Sequence, residues 1–382
     1  MSSVLISGAS IAGPALAFWL RRNGFDVTVV EKSHALRGGG YPIDIRGTAL
    51  GVVDRMGLLP RLREAHVNTR QITFLDADGS HVASIRPESL TGSDDSDLEV
   101  RRGDLAEILY DTVRDDVEFL FDNTIVTMTE HSGGVDVTFR SGLQRTYDHV
   151  IGADGLHSTV RALTFGPEER FHRYLGYCFA GFTLPNHLDL RQEALMWNEP
   201  GRAAALYAVG SNESVHGFLS FTRAEAPFGA FRDPQAQRDL VASVFADDGW
   251  EVPGLVKAMH EADDLFFDTV SQIRMPHWSS GRVALVGDAA YAPSFLTGQG
   301  SSLALVGAYV LAGNMRDFGA YERTIRPFVE ANQGLVDVGN AELFPGTAEA
   351  LAARNAALRS RETMPAPAAR PEHSALTLPE FS

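Results

Sequence analysis

Two short apolar runs stand close to the start of the chain, at residues 4–7 and 26–30. Between them lies a stretch with helical spacing of apolar residues, which begins near Ile11. Apolar runs of this length joined by a helix predict parallel strands with a crossover. Similar runs at 149–153 and 283–286 extend the pattern, so the chain is predicted to contain a parallel sheet covered by helices.

The spacing changes between residues 170 and 274, where apolar and polar positions alternate with period two. Such alternation is typical of antiparallel strands with one buried face. The runs that show it are 177–184, 194–197, 203–209 and 215–221. An earlier pair of alternating runs, 70–75 and 81–85, flanks a turn that ends in Gly79 and predicts a hairpin, which we expect to join the same sheet.

The turn after the first strand has glycine at positions 8 and 13 and serine at position 10. This is the spacing of the dinucleotide fingerprint, with Ser10 in place of its second glycine. Gly8 permits the tight turn, and the backbone N–H groups that follow it face a pyrophosphate at the helix N-terminus. Gly13 lets the helix and the sheet approach closely, and Glu31, at the end of the second strand, can accept hydrogen bonds from ribose hydroxyl groups.

Two later strands also end in an acid beside a glycine, at Asp154-Gly155 and at Gly287-Asp288. Ligands of open α/β sheets bind beyond the carboxyl ends of the strands. Three such strand ends together indicate one bound dinucleotide. The alternative interpretation is a set of glycine-rich turns in an ordinary α/β domain.

Composition narrows the functions open to this chain of 382 residues. Its formal net charge of −16 argues against nucleic acids and anionic membrane surfaces as partners. No apolar stretch is long enough to span a membrane, and a single cysteine, Cys178, excludes an intramolecular disulfide framework and a multi-cysteine metal site. These features favour a cytoplasmic protein without a metal centre, and they make no prediction of oligomeric state.

Taken together, the motifs resemble those of the FAD-dependent aromatic hydroxylases, the group A flavoprotein monooxygenases. The resemblance rests on the fingerprint with Glu31, on Arg102 in Arg-Gly-Asp-Leu, on Asp154-Gly155 with residues 157–161, and on residues 281–290. It extends from about residue 3 to residue 335. Within this group the chain is most similar to the tetracycline-inactivating monooxygenases and to enzymes that tailor antibiotics.

The resemblance implies that FAD is the bound cofactor. Glu31 would hold the adenosine ribose, while Arg37 and Arg102 would contact FAD from the side. Residues 298–301 would lie along the isoalloxazine ring, where N–H groups and a helix N-terminus stabilise negative charge on the reduced flavin. The implied cofactor-binding residues are Gly8, Ser10, Ile11, Ala12, Gly13, Glu31, Lys32, Arg37, Asp44, Arg102, Val126, Asp154, Gly287, Asp288, Gly298, Gln299, Gly300 and Ser301.

The resemblance also assigns residues to catalysis. Asp44 and Arg46 follow a glycine run and are expected beside the flavin ring, with a surface salt bridge as the alternative interpretation. The implied catalytic residues are Arg46, Pro293 and Gly298.

Candidate substrate contacts come from the alternating region. Arg202, His216, Phe218 and Phe221 have a spacing that resembles the sheet positions in contact with the polyketide in tetracycline-degrading relatives. Met196 adds to a group of apolar and aromatic side chains that suits a flat ligand. For each of these residues the alternative is a structural or solvent-exposed role.

The resemblance implies a monooxygenase in which NADPH or NADH reduces FAD, O2 adds at flavin C4a, and the resulting hydroperoxide hydroxylates an electron-rich carbon. A second nucleotide fingerprint is missing from the sequence, which fits transient docking of NAD(P)H. The expected substrate is an aromatic or polyketide-like small molecule, such as a tetracycline-type antibiotic.

Three alternatives remain open. A flavin-dependent halogenase shares the implied fold but uses a lysine near the substrate, and the two lysines of this chain, Lys32 and Lys257, lie outside any matching motif. A flavoprotein that sequesters a drug would show no substrate-dependent NADPH consumption. A dehydrogenase or oxidase would turn over without inserting oxygen, which the mass of the product would show.

The predicted fold class is therefore α/β: a Rossmann-like FAD-binding domain, an inserted, mostly antiparallel β-sheet substrate domain, and C-terminal helices. The FAD-binding domain is assigned to residues 1–69, 98–169 and 275–317. The substrate domain is assigned to the hairpin segment 70–97, which includes an acidic, mobile loop at 87–97, and to residues 170–274, with a covering helix at 234–245. Residues 318–363 are predicted to form the C-terminal helices (318–338 and 341–361), and 364–382 a poorly ordered tail.

Overall fold

The computed structural model of the protein describes residues 1–36, 38, 40–87, 96–208, 213–227, 233–337, 343–361 and 369–381. Arg37 and most of the acidic segment predicted to be a mobile loop lie outside these residues. The strands are β1 (Ser3–Ser7), β2 (Asp26–Val30), β3 (Pro42–Ile45), β4 (Gln71–Leu75), β5 (His81–Ile85), β6 (Leu98–Arg101), β7 (Glu118–Leu120), β8 (Ile125–His131), β9 (Gly134–Phe139), β10 (Gln144–Tyr147), β11 (His149–Gly152), β12 (His172–Pro185), β13 (Glu193–Glu199), β14 (Arg202–Tyr207), β15 (Ser214–Thr222), β16 (Phe266–Ile273), β17 (Ser279–Ser280) and β18 (Val283–Leu285).

The helices surround and connect these strands. They are α1 (Ala12–Arg22), α2 (Thr48–Arg55), α3 (Leu59–Glu64), α4 (Arg102–Asp111), α5 (Thr159–Phe165), α6 (Pro234–Val244), α7 (Val252–Glu261), α8 (Asp288–Tyr291), α9 (Gly300–Gly313), α10 (Phe318–Gln333) and α11 (Ala348–Arg361). Short 3-10 turns cover Glu168–Arg170, Phe295–Thr297 and Pro371–Ser374. Within the described ranges, no helix combines the length and the apolar character that a membrane span requires.

A parallel sheet forms the centre of the larger part of the molecule. Its strand order is β17-β18-β11-β1-β2-β7, and its pairs are parallel except for β17 with β18. Leu5 and Ile6 of β1, Leu16 of α1 and Leu305 of α9 are completely buried in one core. Helix α9 is buried along nearly its whole length, as an almost uniformly apolar helix should be. The predicted Rossmann-like α/β architecture is therefore confirmed.

The second large sheet has the strand order β16-β12-β15-β14-β13-β4-β5. Its pairs are antiparallel except for β13 with β4, so the predicted mostly antiparallel sheet and its early hairpin are both present. On one face, Trp197 and Leu219 pack with Val241 of α6 and Leu255 of α7. The other face is directed at the parallel-sheet part, where the ring of Phe218 contacts that of Tyr41.

A small antiparallel pair, β3 with β6, lies next to this junction. Asp44 of β3 stands directly opposite Glu99 of β6 in the register. The sequence pattern does not predict this pair because β3 directly follows a glycine run and both strands are short and carry charged residues. The strands β10 and β16 and the helix α7 are further elements that the pattern does not predict.

Several predicted element ends differ from the structure. The helix expected over 318–338 ends at Gln333, and the described part of the one expected over 341–361 begins at Ala348, after Pro345. Arg101 occupies the N-cap position of α4. The carboxylate of Asp104, in the first turn of this helix, accepts a hydrogen bond from Nε of Arg101 at 2.7 Å.

The C-terminal residues correct the prediction of a poorly ordered tail. Described residues between 369 and 381 pack along α2, α9 and α10. The Thr48 hydroxyl donates to the Leu376 carbonyl at 2.7 Å, the Tyr309 hydroxyl donates to the Pro379 carbonyl at 2.6 Å, and the Phe381 ring contacts that of Tyr309. Apolar residues at 376, 378 and 381 pack against the main core and account for this order.

Candidate cofactor and substrate site

The first turn of the parallel sheet is packed too tightly for larger residues. Gly8 has a φ of +106°, and a Cβ atom there would overlap the Ala153 carbonyl. A Cβ atom at Gly13 would overlap the carbonyl of Gly8, so both glycines of the fingerprint are required by close approach of the backbone. In the part of the chain that the structure describes, no side chain caps the N-terminus of α1, and the first turn of this helix contains no acidic residue. Its N–H groups therefore remain available to an anion.

Glu31 is fixed at the end of β2 by the backbone around it. Its two carboxylate oxygens accept hydrogen bonds from the N–H groups of Ala9 and Ser33, each at 2.9 Å. A carboxylate has about four acceptor positions, so oxygen lone pairs remain for hydroxyl groups of a ligand. The position and orientation of Glu31 suit the predicted contact with a ribose.

Arg102 brings a positive charge to the same turn. Its Nη2 donates a hydrogen bond to the Ser10 hydroxyl at 2.7 Å. Asp288 is accessible to solvent, but protein atoms surround it as in a cleft. The resulting desolvation raises the pKa of its carboxyl group, and the positive charge of Arg102 opposes this shift. The structure thus brings together Ser10, Arg102 and Asp288, three predicted cofactor residues from distant parts of the chain.

The loop before α9 forms the next wall of the cleft. Gly298 is left-handed with a φ of +64°, and a Cβ atom there would lie 3.2 Å from both Nη1 of Arg46 and Oδ2 of Asp44. These two side chains form an ion pair of 2.6 Å. The side chain of Arg46 is only 3% exposed, and its backbone N–H donates to the Ser302 hydroxyl. The alternative of a surface salt bridge therefore does not describe the pair.

Pro293 and Gln299 lie in the same loop. The Pro293 carbonyl accepts a hydrogen bond from Nε2 of Gln272 at 3.0 Å, which ties the loop to β16. Gln299 is completely buried at the N-cap of α9, and its side chain makes no hydrogen bond among the described residues. Its contribution to a bound ligand would come from the backbone. As at α1, no side chain within the described ranges caps the N-terminus of α9.

These features fit an FAD molecule. At Gly8 and at the left-handed Gly298 no side chain covers the backbone, so a ligand can contact its N–H groups. The starts of α1 and α9, which no described side chain caps, lie near Arg102 and Asp288. Gly287 packs between Ala12 of α1 and Ala304 of α9, which brings the two helix starts together. A dinucleotide with two phosphates and several hydroxyl groups matches this set of donors and acceptors.

Asp154 has a structural task that the sequence does not reveal. Its carboxylate accepts hydrogen bonds from the Ser158 hydroxyl and from the N–H groups of Thr159 and Val160, at the start of α5. The Ser7 hydroxyl donates to it as well, at 3.4 Å. Four protein donors hold this carboxylate, so it connects the start of α5, whose N-cap residue is Ser158, to the end of β1.

The other predicted cofactor residues are spread more widely. Ile11, Ala12, Gly300 and Ser301 lie at the starts of α1 and α9. Lys32 is exposed beyond the end of β2, and Val126 is 49% exposed on β8. Arg37 lies outside the described residues.

Three predicted substrate residues share the sheet face that is directed at the cleft. His216 and Phe218 of β15 have ring centroids 4.9 Å apart, and both contact the ring of Tyr41. Met196 of β13 pairs with Ala205 of β14, which in turn pairs with Phe218, so these residues form one row across the sheet. Burial lowers the pKa of His216 to about 4, so its ring is neutral at physiological pH.

Arg202 and Phe221 lie on the opposite face, which corrects their predicted substrate role. They are register partners on β14 and β15, and Phe221 is 1% exposed among the side chains that pack under α6 and α7. Arg202 forms ion pairs with Glu199 at 2.5 Å and with Asp248 at 2.9 Å. The alternation of a strand places Phe221 and Phe218 on different faces, because the side-chain period is two.

Comparison with known proteins gives the family. A family model described as the FAD binding domain matches residues 1–316. A flavin-dependent monooxygenase of Legionella longbeachae serogroup 1 (strain NSW150) is 36% identical over 338 residues, which are 86% of this chain and 86% of the relative. The chain belongs to the FAD-dependent monooxygenases. An uncharacterized protein of Mycobacterium tuberculosis (strain ATCC 25618 / H37Rv) is 43% identical over 88% of the chain and 93% of its own length.

Solved structures place this monooxygenase beside the tetracycline destructases. The crystal structure of tetracycline destructase Tet(51) has a TM-score of 0.86 and 32% identity, with full coverage of both chains. That of Tet(55) has a TM-score of 0.84 and 34% identity, over 99% of this chain and 98% of the other. The predicted family and FAD as its cofactor are confirmed.

Several residues of this monooxygenase site were missed by the sequence analysis. Tyr41 connects the cofactor side to the sheet, and Phe295 of the loop contacts Phe179 of β12 with centroids 4.9 Å apart. Glu99 accepts hydrogen bonds from the hydroxyl groups of Tyr207 and Thr69. The alternation of residues 177–184 could have indicated that Phe179 lies on a sheet face, but nothing in the sequence pairs it with Phe295, which follows 116 positions later.

Proposed function

We propose that this protein hydroxylates an aromatic or polyketide-like small molecule, with NAD(P)H as reductant and O2 as the source of oxygen. Tetracycline-type antibiotics are the first compounds to test, because tetracycline destructases are similar to this chain over nearly their whole length. The observation that carries the proposal is the contact between the Gly298 loop and the aromatic face of the sheet, through Phe295 and Phe179. A flat substrate held there would lie beside the flavin ring.

The residues of the cleft would act in binding and in placing charge. Arg102 and the N-terminus of α1 would hold the pyrophosphate, and Glu31 the adenosine ribose. Bound FAD would supply the redox and oxygen chemistry, with electrons from NAD(P)H. The N–H groups at Gly298 and the start of α9 would stabilise the negative charge that the ring acquires on reduction.

The sheet face would position the substrate and exclude water. Phe218 and Met196 supply apolar area on the row nearest Tyr41. His216, neutral at physiological pH, offers one donor and one acceptor without adding a charge. Neutral, largely apolar walls would exclude water from the site, as oxygen chemistry at a bound flavin requires.

The halogenase alternative finds no support in the placement of lysines. Lys32 is exposed beyond β2, and Lys257 is exposed on α7, which covers the sheet face opposite the cleft. Neither side chain lies on the face that carries Phe218 and His216. A sequestering flavoprotein would use the same walls and is separated from the enzyme by turnover alone.

The test is substrate-stimulated consumption of reductant. The protein, reconstituted with FAD, is given NADPH or NADH in air, with tetracycline and with a panel of phenols and polycyclic aromatic compounds. We expect at least one compound to accelerate the oxidation of the nicotinamide. Tight binding of tetracycline without any acceleration would instead support sequestration and contradict the proposal.

A further inference from the structure

A half-buried carboxyl group, that of Glu99, joins the two halves of the site, and no sequence motif singled it out. Glu99 of β6 accepts a hydrogen bond at Oε1 from the Tyr207 hydroxyl at 2.7 Å and at Oε2 from the Thr69 hydroxyl at 2.6 Å. Tyr207 belongs to β14, on the sheet face directed at the cleft, and Thr69 precedes β4. The partners of the Glu99 carboxyl in the described structure are therefore hydroxyl groups rather than cations.

The opposite strand presents a second carboxylate. Asp44 and Glu99 are register partners in the pair of β3 with β6, so their side chains share one face at the spacing of a cross-strand pair. Two like charges in such positions repel each other, and more strongly where protein replaces water. One of the two groups is relieved of this repulsion if it carries a proton.

The surroundings decide which group takes the proton. Asp44 forms a charge-assisted ion pair with the Arg46 guanidinium at 2.6 Å. Glu99 has the neutral hydroxyl groups of Tyr207 and Thr69, and the remaining titratable group facing it is His66, whose Nδ1 lies 2.9 Å from the Glu99 carbonyl. Desolvation, followed by the charge of Asp44, raises the pKa of Glu99, while hydrogen bonds from Thr69 and Tyr207 and the charge of His66 oppose the shift.

We propose that Glu99 is a positioning residue of the flavin site. The protonated carboxyl group of Glu99 leaves the Asp44–Arg46 pair in place beside Gly298, and it also binds the Tyr207 hydroxyl. One neutral carboxyl group thus holds the substrate sheet and the flavin loop in a fixed position relative to each other. When Glu99 is protonated, the Thr69 hydroxyl can reverse its role and accept a hydrogen bond from the carboxyl O–H. This inference rests on the proposed placement of the flavin ring at Gly298.

The first test reads the proton without any flavin. Infrared spectra of the FAD-free protein near neutral pH are compared for the wild type, for Glu99→Gln and for Glu64→Gln, an exposed glutamate at the end of α3. We expect the C=O band of a protonated carboxyl group to lose intensity in Glu99→Gln and to be unchanged in Glu64→Gln. An unchanged band in Glu99→Gln would overturn the proposal, whatever the protein does with FAD.

The second test measures the dissociation constant of FAD from about pH 6 to about pH 9 by quenching of flavin fluorescence. Ionisation of Glu99 adds a negative charge opposite Asp44, whose carboxylate lies next to Gly298, so the wild type should lose affinity about tenfold as pH rises, the equivalent of about one pKa unit of coupling. Glu99→Gln, which mimics the protonated group, should match the wild type at the acidic end and lack this loss.

Variants that remove the contacts complete the test. Glu99→Ala and Tyr207→Phe should weaken FAD binding at the acidic end, where Glu99→Gln does not. If Glu99→Gln binds FAD as poorly as Glu99→Ala there, the ionised carboxylate is what the site needs and the proposal is wrong. If the wild type binds no FAD, the cofactor placement fails instead, and the infrared result stands apart from it.

Discussion

Arg102 is the residue through which three distant segments meet in the cofactor cleft. It begins α4, its guanidinium reaches Ser10 of the first turn, and its charge acts on Asp288 before α9. The neighbouring Arg101 is tied to Asp104 instead. Because the adjacent Arg101 and Arg102 have different partners, replacing each in turn separates the effect of position on FAD binding from the effect of losing one positive charge.

We expect Arg102→Ala to weaken FAD binding by roughly tenfold to a hundredfold, since a charged hydrogen bond to phosphate contributes about 1.5–3 kcal/mol. The measurement is a titration of the FAD-free protein followed by flavin fluorescence. Arg101→Ala removes the same charge one position earlier and should change the affinity much less. Equal losses for the two variants would contradict the placement of the pyrophosphate at Arg102.

Gly298 offers a second prediction at the scale of one residue. Gly298→Ala would place a methyl group 3.2 Å from both members of the Asp44–Arg46 pair, in a left-handed backbone that costs about 1–2 kcal/mol for alanine. Gly57→Ala is a matched control, because Gly57 has a similar φ of +74° with open space around it. Both variants should lose stability in thermal unfolding, but only Gly298→Ala should lose FAD affinity.

At the scale of elements, His157 connects the parallel-sheet part to the antiparallel sheet. Its Nδ1 lies 2.8 Å from Glu168, and its Nε2 lies 3.2 Å from Asp268 of β16. Burial lowers the pKa of this histidine, but the hydrogen bonds to Asp268 and Glu168 outweigh it and raise the pKa to about 9. The charged ring therefore bridges two acids that belong to different elements.

The raised pKa predicts a pH dependence of stability. A histidine with a pKa of 6.5 when unfolded and about 9 when folded stabilises the protein fully below 6.5, and this contribution is lost as pH rises through about 9. Chemical unfolding at about pH 6.5 and pH 9.5 should show a larger drop for the wild type than for His157→Gln. His34→Gln, at an exposed position, should behave as the wild type does. Parallel curves for wild type and His157→Gln would rule out the charged bridge.

Much of the fold could be predicted because several of its strands are mainly apolar and lie close to glycine-rich turns. β1, β2 and β18 are of this kind, and apolar side chains recur along β15. The pairing of β3 with β6 could not be predicted, because these short strands carry Asp44 and Glu99 and have no apolar pattern. The packed C-terminal residues were also missed, because their partners on α2 and α9 lie 328 and 70 positions earlier in the chain.

The site shows the same division. Gly8, Gly13 and Glu31 were predictable because backbone geometry near one turn dictates them. The placement of the candidate substrate residues could be predicted less well: the strand period separates Phe218 from Phe221, but only the fold shows which of the two faces is directed at the cleft. Tyr41 and Phe295 depend on contacts across the two parts, which no local pattern encodes.

At the scale of the whole molecule, the arrangement places a cofactor cleft against an aromatic sheet face. The parallel sheet supplies the two uncapped helix starts and the Gly298 loop, and the antiparallel sheet supplies Phe218 and Phe179. Residues that would bind FAD and residues that would hold a substrate thus come from different sheets and meet along one junction. The proposed hydroxylation of a flat molecule would use this arrangement.

The most direct test of this account is the origin of the oxygen in the product. The reconstituted protein is given NADPH and the compound that most stimulates its oxidation, under oxygen-18 gas, and the product is examined by mass spectrometry. We predict one atom of heavy oxygen in each product molecule. Consumption of NADPH with no labelled product, or a product that forms only when halide is added, would contradict a monooxygenase.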